Sequence, residues 1–168
     1  MESTPATMRL SRRIIILAVV VLAIVGLVWW GLHTVRLRVM DAYSVIQLES
    51  VRAALLQYQE QFGGMPGAVM DGGAWHEVMA REWLLNPEML RPPRANGQCV
   101  VCVGYVEGLS ATILQERGID PATQLWLYEL PEYVDGATLA VVTFDGRARL
   151  EPRAEVVAWI ERVQNAAK

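Results

Sequence analysis

The chain has 168 residues, a formal net charge of −3 and a hydrophobic fraction of 53%. That balance excludes a strong electrostatic partner, and no basic patch interleaved with aromatics points to nucleic acid. Residues 33–168 are enough for one domain and not for two.

Residues 1–13 read as a cytoplasmic tail, polar and without fixed structure over Met1–Ser11, that brings Arg9, Arg12 and Arg13 up to an apolar run. The run, Ile14–Leu32 (IIILAVVVLAIVGLVWWGL), carries no charge and ends on Trp29 and Trp30. Its helical length of about 28 Å matches a bilayer core, and a helix apolar on every face has little use in a small soluble domain. Arginines before the run and tryptophans at its end favour the N-terminus inside, although Arg36 and Arg38 follow. A cleaved signal peptide is the rival reading. The run is long for one, and HTVRLRVM after it offers no small-x-small cleavage site. The expectation is a single-pass protein of the cytoplasmic (inner) membrane, with residues 14–32 in lipid and 33–168 extracytoplasmic.

From Thr34 to Phe62 there is neither Pro nor Gly. Leu48, Val51, Leu55, Tyr58 and Phe62 recur at helical spacing, which predicts one apolar stripe. Gln47, Glu49, Arg52, Gln57 and Glu60 fill much of the other side, with Glu49 and Arg52 close enough for a weak ion pair. Gly63, Gly64 and Pro66 stop the helix. The reading is one helix from membrane to domain; two helices broken near Gly31 are the alternative.

A turn-rich loop, MPGAVMDGG, leads to a short helix over Ala74–Leu85 with Trp75, Val78, Met79 and Trp83 on its buried side. His76, beside Glu77, reads as solvated. Asn86-Pro87 restarts the chain, and Arg91 and Arg94 flank Pro92-Pro93 in what reads as a solvated loop.

Cys99–Val106 has the β-branched and aromatic content of a strand. Cys99 and Cys102 admit three readings: a structural disulfide or buried free thiols, a redox pair, or metal ligands. A redox pair needs a helix N-terminus to acidify a thiol, and the valine neighbours favour a strand. Zinc needs two further ligands, and His33 and His76 are the only histidines. A haem attachment needs His at position 103, where Val stands. Positions i and i+3 of a regular strand face opposite sides, so a disulfide requires a turn or bulge.

Between Val106 and Gln124 the chain reads equally as short helix or loop. Gln124–Leu130 and Thr138–Phe144 read as strands, and Asp145-Gly146 turns a hairpin spanning Thr138–Glu151, with Arg147–Leu150 as the return. Pro152 suits the first turn of a last helix, in which Val156, Val157, Ile160 and Val163 face inward with Trp159 beside them.

The order predicts an α+β fold: a long N-terminal helix, transmembrane then amphipathic, packed on a small antiparallel sheet of three to four strands, with a C-terminal helix. No catalytic constellation stands out. Glu129 and Glu132 could share a surface, and Asp135 and Asp145 could lie at opposite ends of the hairpin; all four read as solvated. GGMPG at Gly63–Gly67 lacks a phosphate-loop Lys, and Ser110 lacks a nucleophile elbow. No enzyme activity, cofactor or metal site is expected.

Three stretches carry a resemblance: VIQLESVRAALLQYQEQFGGMP behind the apolar run, YVEGLS at Tyr105–Ser110, and LYELPEYVDGATLAVVTFDGRARLE at Leu127–Glu151. In this order they resemble type IV pilins and the pseudopilins of type II secretion, and more narrowly the bacterial prepilin-type proteins with a C-terminal hairpin containing Asp-Gly. The chain departs from that pattern in MRLSRRIIILAV, which has neither the family's Gly at the peptidase site nor the Glu in the first turns of the apolar helix. Arg147 and Tyr133–Asp135 stand where family histidines are common. The resemblance implies a non-catalytic protein working through protein contacts in a secretion or pilus-type envelope assembly. Its partners would be membrane lipid, other envelope or pilin-like subunits and further copies of itself. The alternative is a membrane-anchored redox or metal-handling module using Cys99 and Cys102. Some major pseudopilins bind calcium in acidic loops, and Asp71, Asp120, Glu132 and Asp135 lack the ligand density for it.

Overall fold

A computed structural model describes residues 5–65, 74–82, 85–97, 99–106 and 111–166. The loop at 66–73 with Asp71, Trp83, residues 107–110 with Ser110, and the side chains of Arg9, Arg12, Arg13 and Val163 lie outside the described residues. The chain divides into two units, Met1–Val39 and Met40–Lys168.

Helix α1 spans Pro5–Phe62. It begins earlier than the expected tail allows, with Pro5 in the first turn, where its missing N–H costs nothing. It is hydrogen-bonded through Gly31 without a break. In the first unit the side chains of Ile14–Val39 are almost all exposed, and no part of the apolar window is covered by protein. By length and composition this helix can cross a membrane. In the second unit α1 ends at Gly63, which adopts φ +75° and donates its N–H to Gln59 O at 2.9 Å. That left-handed cap is a conformation that glycine enters without a Cβ clash.

The second unit holds an antiparallel sheet in the order β1-β2-β3-β4, built from β1 (Val103–Tyr105), β2 (Leu125–Glu129), β3 (Thr138–Thr143) and β4 (Ala148–Pro152). The short helices α2 (Trp75–Arg81) and α3 (Ala111–Glu116) precede β2, and α4 (Arg153–Ala166) closes the chain. The architecture is α+β, and α3 decides the region that the sequence left open between helix and loop.

The sheet is covered on both faces. On one face Leu48, Val51, Ala54, Leu55 and Tyr58 of α1 share a core with Trp75, Val78 and Met79 of α2 and with Val103, Trp126, Leu127, Ala140 and Val142 of the sheet. On the other, Leu125, Leu139 and Val141 pack with Cys99, Cys102, Val134 and Val156 of α4. Strand alternation produces this division, because Ala140 and Val142 point one way and Leu139 and Val141 the other. A register irregularity between Leu125 and Leu127 breaks the alternation in β2, so that Trp126 and Leu127 both enter the α1-side core.

Several expected boundaries shift. Helix α2 stops at Arg81 instead of Leu85. The strand expected over Cys99–Val106 is reduced to Val103–Tyr105, since Cys99–Cys102 forms a turn ahead of it. Pro152 ends β4, where an edge strand tolerates its missing N–H, and α4 starts one residue later. The terminal helix packs on the sheet face away from α1: Val156 is buried, while Val157, Trp159 and Ile160 are half-buried.

Candidate interaction surface and buried clamp

Beyond Met40, α1 presents two apolar stripes. Ser44, Leu48, Val51, Leu55 and Tyr58 are buried against the sheet and α2. Phe62, expected on the same stripe, is 52% exposed; it lies in the last turn and stacks on Tyr58 with ring centroids 4.5 Å apart. On another side of the helix Tyr43 is 59% and Ile46 57% exposed, and Ala53 and Leu56 are exposed further along. Spacings of three and seven keep these residues on one helical face. The sequence carries this second periodicity, but the strong buried stripe draws attention from it.

Arg94 was expected to be solvated and is buried. Its side chain is 8% exposed, with Nη1 2.8 Å from Asp41 Oδ1 on α1 and Nη2 2.9 Å from Glu129 Oε2 on β2. Arg91 is exposed, as a loop arginine should be. Glu129 is fully buried, and its Oε2 also accepts the Ala140 N–H at 2.7 Å. Glu129 therefore does not share a surface with Glu132, which lies on the other side of the sheet. A legible signal existed: in β2, Glu129 is two residues from Leu127, so it follows Leu127 into the core and needs a cation there. What the sequence does not show is which cation reaches it.

Arg94 thus ties α1 to the sheet. Ser44 Oγ, Arg94 Nε and Glu129 Oε1 are buried with no hydrogen-bond partner among the described residues. An ionic cluster left partly unsatisfied is a poor source of stability compared with apolar packing, and it fixes geometry instead.

Cys99 and Cys102 form a disulfide with Cα atoms 5.8 Å apart. Both are buried in the α4-side core, at 5% and 0% exposure, while Val100 between them is 75% exposed. The turn at 99–102 removes the strand objection to pairing. Joined sulfurs offer no thiolate for a metal, and no group of three or more His, Cys, Asp or Glu among the described residues could hold one. His33 is exposed; His76 is partly exposed and meets the edge of Trp75 at 5.8 Å. Asp120 caps a 3₁₀ turn at Pro121–Thr123 by accepting the Ala122 N–H at 3.0 Å, and Asp135 is exposed.

The Asp145-Gly146 turn packs under α1. Gly146 takes φ +85°, and a Cβ there would overlap the Arg52 guanidinium. Asp145 accepts from Thr143 Oγ1 at 2.6 Å and from the Arg147 N–H at 3.2 Å. The Thr143 bond above all, with the Arg147 N–H and the charges of Arg147 and Arg149, holds its carboxyl below the ordinary carboxylate range, against a smaller opposing effect of burial.

A groove of about 210 Å³ opens on the α4 face, lined by Tyr128, Leu130, Pro131, Glu132, Val157, Ile160 and Glu161. Burial, and next the Glu132 charge, push the Tyr128 phenol up from its ordinary value. Tyr128 lies across Gly104 of β1, leaving no room for a Cβ at that position.

No family model, curated protein or solved structure matches the chain.

Proposed function

We propose that this protein is a pilin- or pseudopilin-like, single-pass membrane protein that performs no catalysis. It works through protein–protein contacts in a secretion or pilus-type envelope assembly. The apolar segment Ile14–Leu32 anchors it in the inner membrane with the N-terminus inside, and the α+β unit is extracytoplasmic.

The observation that carries this reading is the uncovered stripe on α1. Tyr43 and Ile46 are more than half exposed on the segment whose other side is fully committed to the core. A large exposed aliphatic and an aromatic at helical spacing are features of a surface completed by a partner. The buried clamp serves the same end, since Arg94 ties the helix that bears the stripe to the sheet. A metal-handling or catalytic redox role for Cys99 and Cys102 as the protein's main activity has less support, because the sulfurs are joined and packed among apolar side chains.

The test is photo-crosslinking in native envelopes with a benzophenone side chain at Tyr43 or Ile46, and at Glu155, an exposed position on α4, as a control. A discrete crosslinked species from positions 43 and 46 and not from 155 is expected. Ile46→Asp should abolish the matching complex without lowering the melting midpoint, because position 46 contributes nothing to the core. Absence of any adduct from positions 43 and 46 overturns the reading.

A further inference from the structure

The segment from Arg91 to Cys102 works on both sides of the sheet. Its Arg94 enters the α1-side core between Asp41 and Glu129, and its two cysteines enter the α4-side core. Backbone bonds hold the path between them: Asn96 N–H to Tyr133 O at 2.8 Å, Asp135 N–H to Arg94 O at 3.1 Å, and Cys99 N–H to Asn96 O at 3.3 Å. Cys102 completes it, donating to Leu90 O and accepting from Leu130 N–H, each at 2.8 Å.

We propose that the Cys99–Cys102 disulfide is a redox lock on the Arg94 clamp. Closed, it holds residues 91–97 and 99–102 in the path that places Arg94 between α1 and β2. Opened by a dithiol, it lets that path relax, withdraws Arg94 from Asp41 and loosens α1 over residues 41–48.

The covalent step is ordinary exchange. One thiolate of the dithiol attacks the Sγ of Cys99, the less enclosed of the two residues, and Cys102 leaves as a thiolate that takes up a proton. The second thiol of the reductant then displaces Cys99 and closes the reductant's own disulfide. Two electrons and two protons pass to the cysteine pair. Val100, at the exposed tip of the turn, marks where the reductant approaches. Loop-closure entropy for so short a ring corresponds to a shift of roughly 10- to 30-fold in a local opening equilibrium. A clamp that includes buried polar atoms without partners is where such a shift is felt first.

The consequence for function rests on Tyr43 and Ile46 being the contact face, but the lock is measured separately from any partner. The experiment is amide hydrogen exchange on the full chain in detergent micelles, oxidised and after dithiothreitol, with intact mass as the redox readout. Reduction should add two hydrogens, raise exchange at 41–48 and 91–97 about 10- to 30-fold, leave β3 protected, and reverse on reoxidation. Asp41→Asn, with the disulfide intact, should raise exchange at 41–48 alone. Three results overturn the lock: reduction with unchanged exchange at 41–48, reduction only when the whole unit unfolds, or unchanged 41–48 protection in Asp41→Asn. Loss of crosslinking at Ile46 with the exchange response intact would reject the contact reading and leave the lock standing.

Discussion

At the scale of single residues, the decisive side chain is Arg94. It is nearly enclosed and serves two carboxyls, one of them fully buried. Removing a cation from a buried carboxylate leaves that charge uncompensated. Arg94→Met should therefore cost about 3–5 kcal/mol in chemical denaturation, and adding Glu129→Leu should recover most of it. Asp145 gives a pH signature. Its folded-state pKa lies below the unfolded value, so its contribution is present above the unfolded pKa and fades as pH falls through the folded one. The acid limb of the melting midpoint should flatten in Asp145→Asn. Gly104 is set by its neighbour rather than by its own backbone. Gly104→Ala drives a methyl into the Tyr128 ring and should cost about 1–3 kcal/mol, read as a lower urea midpoint at unchanged slope.

At the scale of elements, α1 shows how much a periodic pattern can reveal. Leu48, Val51, Leu55 and Tyr58 lie at spacings that require one face, and that face is buried. Leu55→Asp places a carboxylate where no partner exists and should unfold the second unit at ambient temperature, visible as lost near-ultraviolet circular dichroism. The same periodicity overreached at Phe62, because spacing says which residues share a face and not where the neighbouring sheet ends. The hairpin around Asp145-Gly146 was legible from local turn chemistry. Strand β1 was not: the residues of Cys99–Val106 have strand propensity throughout, yet a turn shortens the strand by four residues. Propensity is a local quantity, and here the path needed by Arg94 and the cysteines prevails.

At the scale of the whole molecule, the two units treat their apolar side chains in opposite ways. The side chains of Ile14–Leu32 face outward with no protein over them, whereas the sheet is enclosed on both faces. Val25→Arg in the middle of the apolar window costs about 2.5–3.5 kcal/mol for insertion. It should shift the protein out of the membrane fraction in a flotation assay while leaving the melting midpoint of the second unit unchanged. That outcome separates anchoring from folding.

The sequence by itself determined the apolar helix, its amphipathic continuation, the Asp-Gly hairpin and the α+β class. These follow from composition, periodicity and turn chemistry, each a property of neighbours along the chain. Only the tertiary structure decided that Arg94 lies between Asp41 and Glu129, that the cysteines face α4, and that Tyr43 and Ile46 remain uncovered. Burial and charge pairing depend on which distant segments meet, and nothing in the local pattern around Pro92-Pro93 distinguishes the arginine that goes to water from the one that goes to the core.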